Sequence, residues 1–64
     1  MELVKGTTYL VVRKSTDYRP GIEEFKLVDE STLCFKFAYG ETGEYVKWFL
    51  KEDFENLYNI IEII

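Results

Sequence analysis

KEDFENLYNIIEII, residues 51–64, decides the fold, because it can be read in two ways. As one helix, Phe54, Leu57, Tyr58, Ile61 and Ile64 recur at three- and four-residue spacing, while Glu52, Glu55, Asn56, Asn59 and Glu62 line the other side. Against a single helix, residues 59–64 hold four isoleucines, whose branched side chains pack more naturally in a strand. A helical turn over 52–57 followed by a closing strand answers both patterns and covers an otherwise open sheet edge. Turn plus strand is the preferred reading and gives a mainly β protein. The single helix gives the alternative, a four-stranded antiparallel sheet with a C-terminal helix.

Upstream, the alternation of side chains marks four strands. Residues 7–13 (TTYLVVR) are β-branched and aromatic, with Leu10 and Val12 expected to face the core and Tyr9, Val11 and Arg13 the other side. Residues 15–21 form an irregular loop ending in a Pro20-Gly21 turn. Residues 22–28 turn Phe25 and Leu27 inward and Glu24 and Lys26 outward, and Asp29, Glu30 and Ser31 reverse the chain. In residues 32–39, Leu33, Phe35, Phe37 and Tyr39 alternate with Cys34, Lys36 and Ala38. The two glycines of residues 40–43 (GETG) make a hairpin, so the third and fourth strands are antiparallel neighbours. The fourth strand, residues 44–50, puts Val46, Trp48 and Leu50 on one face and Tyr45, Lys47 and Phe49 on the other. Aromatics on both faces imply either closure into a barrel or one exposed aromatic strip.

The irregular loop of residues 14–21, the hairpin of residues 40–43 and the turn of residues 49–57 before a final strand resemble the small SH3-like barrels, including compact bacterial and phage-type proteins. The resemblance covers almost the whole chain at the level of architecture. It implies a barrel of about five antiparallel strands with a short helical turn before the last. Signalling SH3 domains carry an ALYDY-like stretch and a Pro-Tyr pair near the closing turn. Here Asp17 and Tyr18 sit in the loop and Trp48 in the fourth strand, and neither of those motifs is present, so proline-rich peptide recognition does not carry over.

Sixty-four residues suit one small domain, residues 1–64, and a chain of this size buries only about 60% of its unfolded surface. The 47% apolar and 17% aromatic content is therefore first a folding requirement. One cysteine, Cys34, allows no internal disulfide, and without histidine no Cys/His zinc site can be assembled from this chain. That suits a reducing cytoplasm. The opening MELVKGTTYLVV is too short and too interrupted for a signal peptide or membrane span. Twelve carboxylates against eight bases leave a net charge of -4, which opposes general binding to a phosphate backbone.

Catalytic groups are hard to assemble from this composition. No histidine base is available, the paired carboxylates Glu23/Glu24 and Glu52/Asp53 are adjacent rather than convergent, and the glycines form no phosphate-binding repeat. The reading is a non-enzymatic protein without metal or cofactor. Tyrosine and tryptophan dominate interface hot spots, so the expected partner-binding residues are Tyr18 and Arg19 in the loop with Tyr45 and Phe49 on the outer side of the fourth strand. The expected function is a protein–protein interaction module, an adaptor or an inhibitor of a bacterial or phage-related machine. A contiguous acidic face of Glu23, Asp29, Glu30, Glu41 and Glu44 would favour the inhibitor. Two alternatives stand beside it: a nucleic-acid-binding barrel using Lys36 and Lys47 beside exposed aromatics, and a homo-oligomer subunit joined through residues 59–64.

Overall fold

The computed structural model describes residues 2–14 and 21–64. Five strands and one helix follow in the order β1 (Thr8–Arg13), β2 (Ile22–Glu30), β3 (Cys34–Tyr39), β4 (Tyr45–Leu50), α1 (Lys51–Leu57) and β5 (Tyr58–Ile63). Every strand is antiparallel to its neighbours in a single sheet of order β4-β3-β2-β1-β5.

Residues 51–64 divide as their two patterns demand. The Lys51 amide donates to the Leu33 carbonyl at 2.8 Å, and Glu52 and Asp53 occupy the first turn, where the helix dipole favours negative charge. Seven residues are too few for a helix stable in isolation, and Phe54, its one buried residue, ties α1 to the sheet. At Tyr58 the backbone becomes extended and the isoleucine-rich segment pairs with β1. Lys14 donates to the Leu57 carbonyl at 2.8 Å and Ile64 to the Thr8 carbonyl at 2.9 Å, closing the two ends of that pairing. The alternative of one C-terminal helix on four strands is thereby overturned.

The core lies on one face of the sheet. Tyr9, Val11, Phe25, Leu27, Phe35, Phe37, Phe54 and Tyr58 are all buried. Phe25 meets Tyr58 edge-on at 5.3 Å between ring centroids, and Phe54 meets Phe35 edge-on at 5.9 Å, arrangements that aromatic quadrupoles favour. The Tyr9 hydroxyl accepts the Val4 amide at 2.7 Å, which satisfies the polar tip of a side chain only 3% exposed.

Four expectations are corrected here. The sheet is open: β4 and β5 are its two edges and do not pair, so neither the barrel nor the SH3-like resemblance holds. α1 and Tyr58 seal the inner face, while Glu24 and Lys26 on the other face are exposed, so no second sheet layer has to curl over the core. In β1 the inward residues are Tyr9 and Val11, not Leu10 and Val12. β2 continues through Asp29 to Glu30 because a bulge at Val28 absorbs one residue between the pairs Leu27↔Phe37 and Asp29↔Lys36. Finally, the third strand begins at Cys34, and Leu33 lies before it, exposed. The loop residues 15–20 fall outside the described residues. Among the described residues no helix is long and apolar enough to cross a membrane.

Candidate interaction surface

The β3–β4 hairpin determines which side chains of β4 meet solvent. Gly40 and Gly43 adopt φ of +95° and +70°, and the Gly43 amide reaches the Gly40 carbonyl at 3.3 Å. The resulting register pairs Phe35 with Phe49, Phe37 with Lys47 and Tyr39 with Tyr45, so these β4 residues share the core face. Val46, Trp48 and Leu50 must then project from the opposite face, and each remains about half exposed (47–52%). Beside them on β3 stand Ala38, Lys36 and Cys34, and the Lys36 ammonium lies 5.5 Å from the Trp48 ring centre. Leu33 extends the apolar row beyond the strand end.

The same row carries the free backbone of the edge. In an antiparallel ladder, hydrogen-bonded and non-hydrogen-bonded pairs alternate. The Lys51 amide bonding to Leu33 fixes the phase, so Phe49, Lys47 and Tyr45 turn their N–H and C=O groups to β3. Val46 and Trp48 turn theirs to solvent, as does the amide of Leu50, whose carbonyl is the N-cap acceptor of α1. The other edge is irregular: β5 carries an extra residue, Ile61, between the pairs Leu10↔Glu62 and Val11↔Ile60. Ile61, Ile63 and Ile64 are exposed there, but the bulge breaks the row of backbone groups.

The residues expected to bind a partner are placed differently from one another. Phe49 is partly buried on the inner face, 5.8 Å from Phe25 and 6.1 Å from Phe54, and not on an outer side. Tyr45 is exposed at the rim of that face and stacks on Tyr39 at 5.5 Å. Tyr18 and Arg19 lie outside the described residues. Lys36 and Lys47 are separated by the sheet, Lys36 over Trp48 and Lys47 over Phe49 at 5.2 Å. The strip formed by Val46, Trp48 and Leu50 was not among the expected site residues. Its signal was the alternation of residues 44–50, which shows a second apolar face without showing which face is outside.

A concavity of about 420 Å³ lies at the hairpin end, where Glu23, Glu24 and Glu41 line it together with Tyr39 and Tyr45. It does not extend into one acidic face. Asp29 and Glu30 sit at the far end of β2, roughly 20 Å away, where Asp29 lies 3.7 Å from Lys5 and Glu30 2.6 Å from Lys51. Glu44 turns back on the hairpin, accepting the Thr42 hydroxyl at 2.6 Å and amide at 2.9 Å, and these bonds hold its pKa below the ordinary carboxylate value. Among the described residues no cluster of three or more metal-ligating side chains occurs.

Comparisons with protein-family models, with curated proteins and with solved structures return no match, so the surface of β4 must be interpreted from its own chemistry.

Proposed function

We propose that this protein is a non-catalytic protein-interaction module that binds through β4 by strand addition, extending the sheet with a strand from its partner. The observation that carries this reading is the coincidence, on one regular edge, of three half-exposed apolar side chains, Val46, Trp48 and Leu50, with the outward N–H and C=O groups of Val46 and Trp48 and the outward amide of Leu50. Backbone pairing supplies affinity in such a mode and the alternate side chains supply selectivity. Trp48 provides a large, stiff anchor of the kind that dominates interface energetics.

An adaptor fits better than an inhibitor that mimics nucleic acid, because the five carboxylates expected to form one acidic face divide between two ends of β2, and Asp29 and Glu30 at one of those ends are ion-paired. Nucleic-acid binding is less well supported than strand addition, since Lys36 and Lys47 lie on opposite faces and cannot follow one backbone together. The unpaired Cys34 suits a reducing, cytoplasmic setting.

A photo-reactive phenylalanine analogue placed at Val46, with the same group at Asp53 on exposed helix surface as control, tests the reading in cells that make the protein. The expected result is a specific adduct with another polypeptide at position 46 that disappears in a Trp48→Glu background. Labelling at position 46 no greater than at position 53 would overturn it.

A further inference from the structure

The β4 edge is complementary to itself. We infer that a second copy of this chain pairs with it, antiparallel across a two-fold axis through Trp48, joining two five-stranded sheets into one of ten strands. The inference rests on β4 being the interaction edge proposed above and goes on to name its occupant.

Three features select a second copy and this register. The two-fold sets Trp48 opposite its counterpart and Val46 opposite Leu50 of the other copy, so the apolar row continues across the junction without interruption. Val46 and Trp48 turn both backbone groups outward and Leu50 its amide, so Trp48 exchanges two hydrogen bonds with its counterpart at the axis and each Leu50 amide donates to the Val46 carbonyl of the other copy. On the inner face, Lys47 comes opposite Phe49 of the other copy, repeating the ammonium-over-ring contact it already makes within its own strand. Shifting the axis to Lys47 would place two like charges directly opposite, which is destabilising. Shifting it to Phe49 shortens the overlap of the apolar rows.

Charge also favours meeting at this edge. The chain carries twelve carboxylates and a net charge of -4, yet none of the six β4 residues is acidic and Lys47 is basic. Two acidic molecules therefore approach with least repulsion through β4. The edge of β5, broken by its Ile61 bulge, offers no comparable row. Five paired residues on each strand and their flanking side chains bury on the order of 1,000 Å² in total, at the low end for specific interfaces, so the dimer should dissociate in the micromolar range.

Sedimentation of the wild type from micromolar to about 1 mM, with disulfide trapping, tests the pairing. In a Cys34→Ser background, a mixture of Val46→Cys and Leu50→Cys chains should cross-link on mild oxidation, because paired residues lie about 5.5 Å apart between Cα atoms, within disulfide reach. Either chain alone should not, its two cysteines being about 14 Å apart along the strands. Trp48→Glu should weaken association by at least roughly thirty-fold. Val46→Pro removes an outward-facing amide that β3 does not use, a substitution edge strands tolerate. It should abolish the dimer while leaving the circular dichroism spectrum unchanged, which keeps the test decisive if Trp48→Glu does not fold.

A wild type that stays monomeric would overturn the inference, as would dimers that persist in the Trp48 and Val46 variants, cross-linking of Val46→Cys with itself, or open-ended growth by stacking β4 on β5. A monomer that still labels another protein from position 46 would refute only the homodimer. A dimer with no such label would refute only the binding of another protein.

Discussion

The Phe54 ring lies 4.7 Å, centroid to centroid, from the Phe37 ring, the shortest aromatic contact in the core and the one that fixes α1 to the sheet. Both side chains are fully buried. Phe54→Ala is expected to cost about 3–5 kcal/mol through lost burial and the cavity it leaves. A chain of this length has only about 3–10 kcal/mol to lose. The variant should therefore lose about a third or more of its stability, read as a clearly lowered midpoint in a urea series followed by circular dichroism.

The hairpin glycines should differ in their tolerance of alanine. Both have positive φ, which costs an L-residue roughly 1–2 kcal/mol. At Gly40 a Cβ would also meet the Glu44 carboxylate at 2.9 Å, whereas at Gly43 it meets nothing within 4 Å. Gly40→Ala should thus lower stability more than Gly43→Ala, and equal urea midpoints would show that the Glu44 side chain moves aside without cost.

Glu44 gives a pH dependence of defined sign. Its folded pKa is depressed, chiefly by the Thr42 hydroxyl. Its stabilising contribution is therefore fully present above the unfolded carboxylate pKa and is lost as pH falls through the lower folded value. In a carbon-detected NMR titration, Thr42→Val should move the Glu44 midpoint upward toward its ordinary position.

Tyr9→Phe isolates the hydrogen bond that satisfies the Tyr9 hydroxyl in the core. The Val4 amide loses its 2.7 Å acceptor, at a cost of about 1 kcal/mol. Amide exchange at Val4 should accelerate by more than the change in global stability explains.

The sequence showed the inward sets of β2 and β3 clearly, because Phe25, Leu27, Phe35 and Phe37 alternate with Glu24, Lys26 and Lys36. It also showed where α1 gives way to β5, since isoleucine branching opposes the helical period of residues 51–64. The faces of β1 and β4 were not legible for one shared reason: Tyr-Leu-Val-Val and Tyr-Val-Lys-Trp-Phe-Leu are apolar on both sides. Their orientation is settled by register with a neighbouring strand, and in β1 also by the Val4 amide that completes Tyr9. Whether the sheet would close was illegible too. A single phenylalanine from α1, together with Tyr58, fills the inner face that a barrel would otherwise enclose. The candidate site inherited the error in β4, so Phe49 was assigned to an outer surface and Trp48 was not.

Pairing β1 with β5 also imposes an order of events on folding. Contacts such as Leu10↔Glu62 join segments about fifty residues apart, whereas β2, β3 and β4 are linked by short turns. The meander should assemble early, and docking of β5 on β1 should come after the rate-limiting barrier. Ile60→Ala would then speed unfolding while leaving the refolding rate nearly unchanged. During synthesis, β1 emerges long before the strand that completes its second edge, and must wait for residues 58–63 to leave the ribosome.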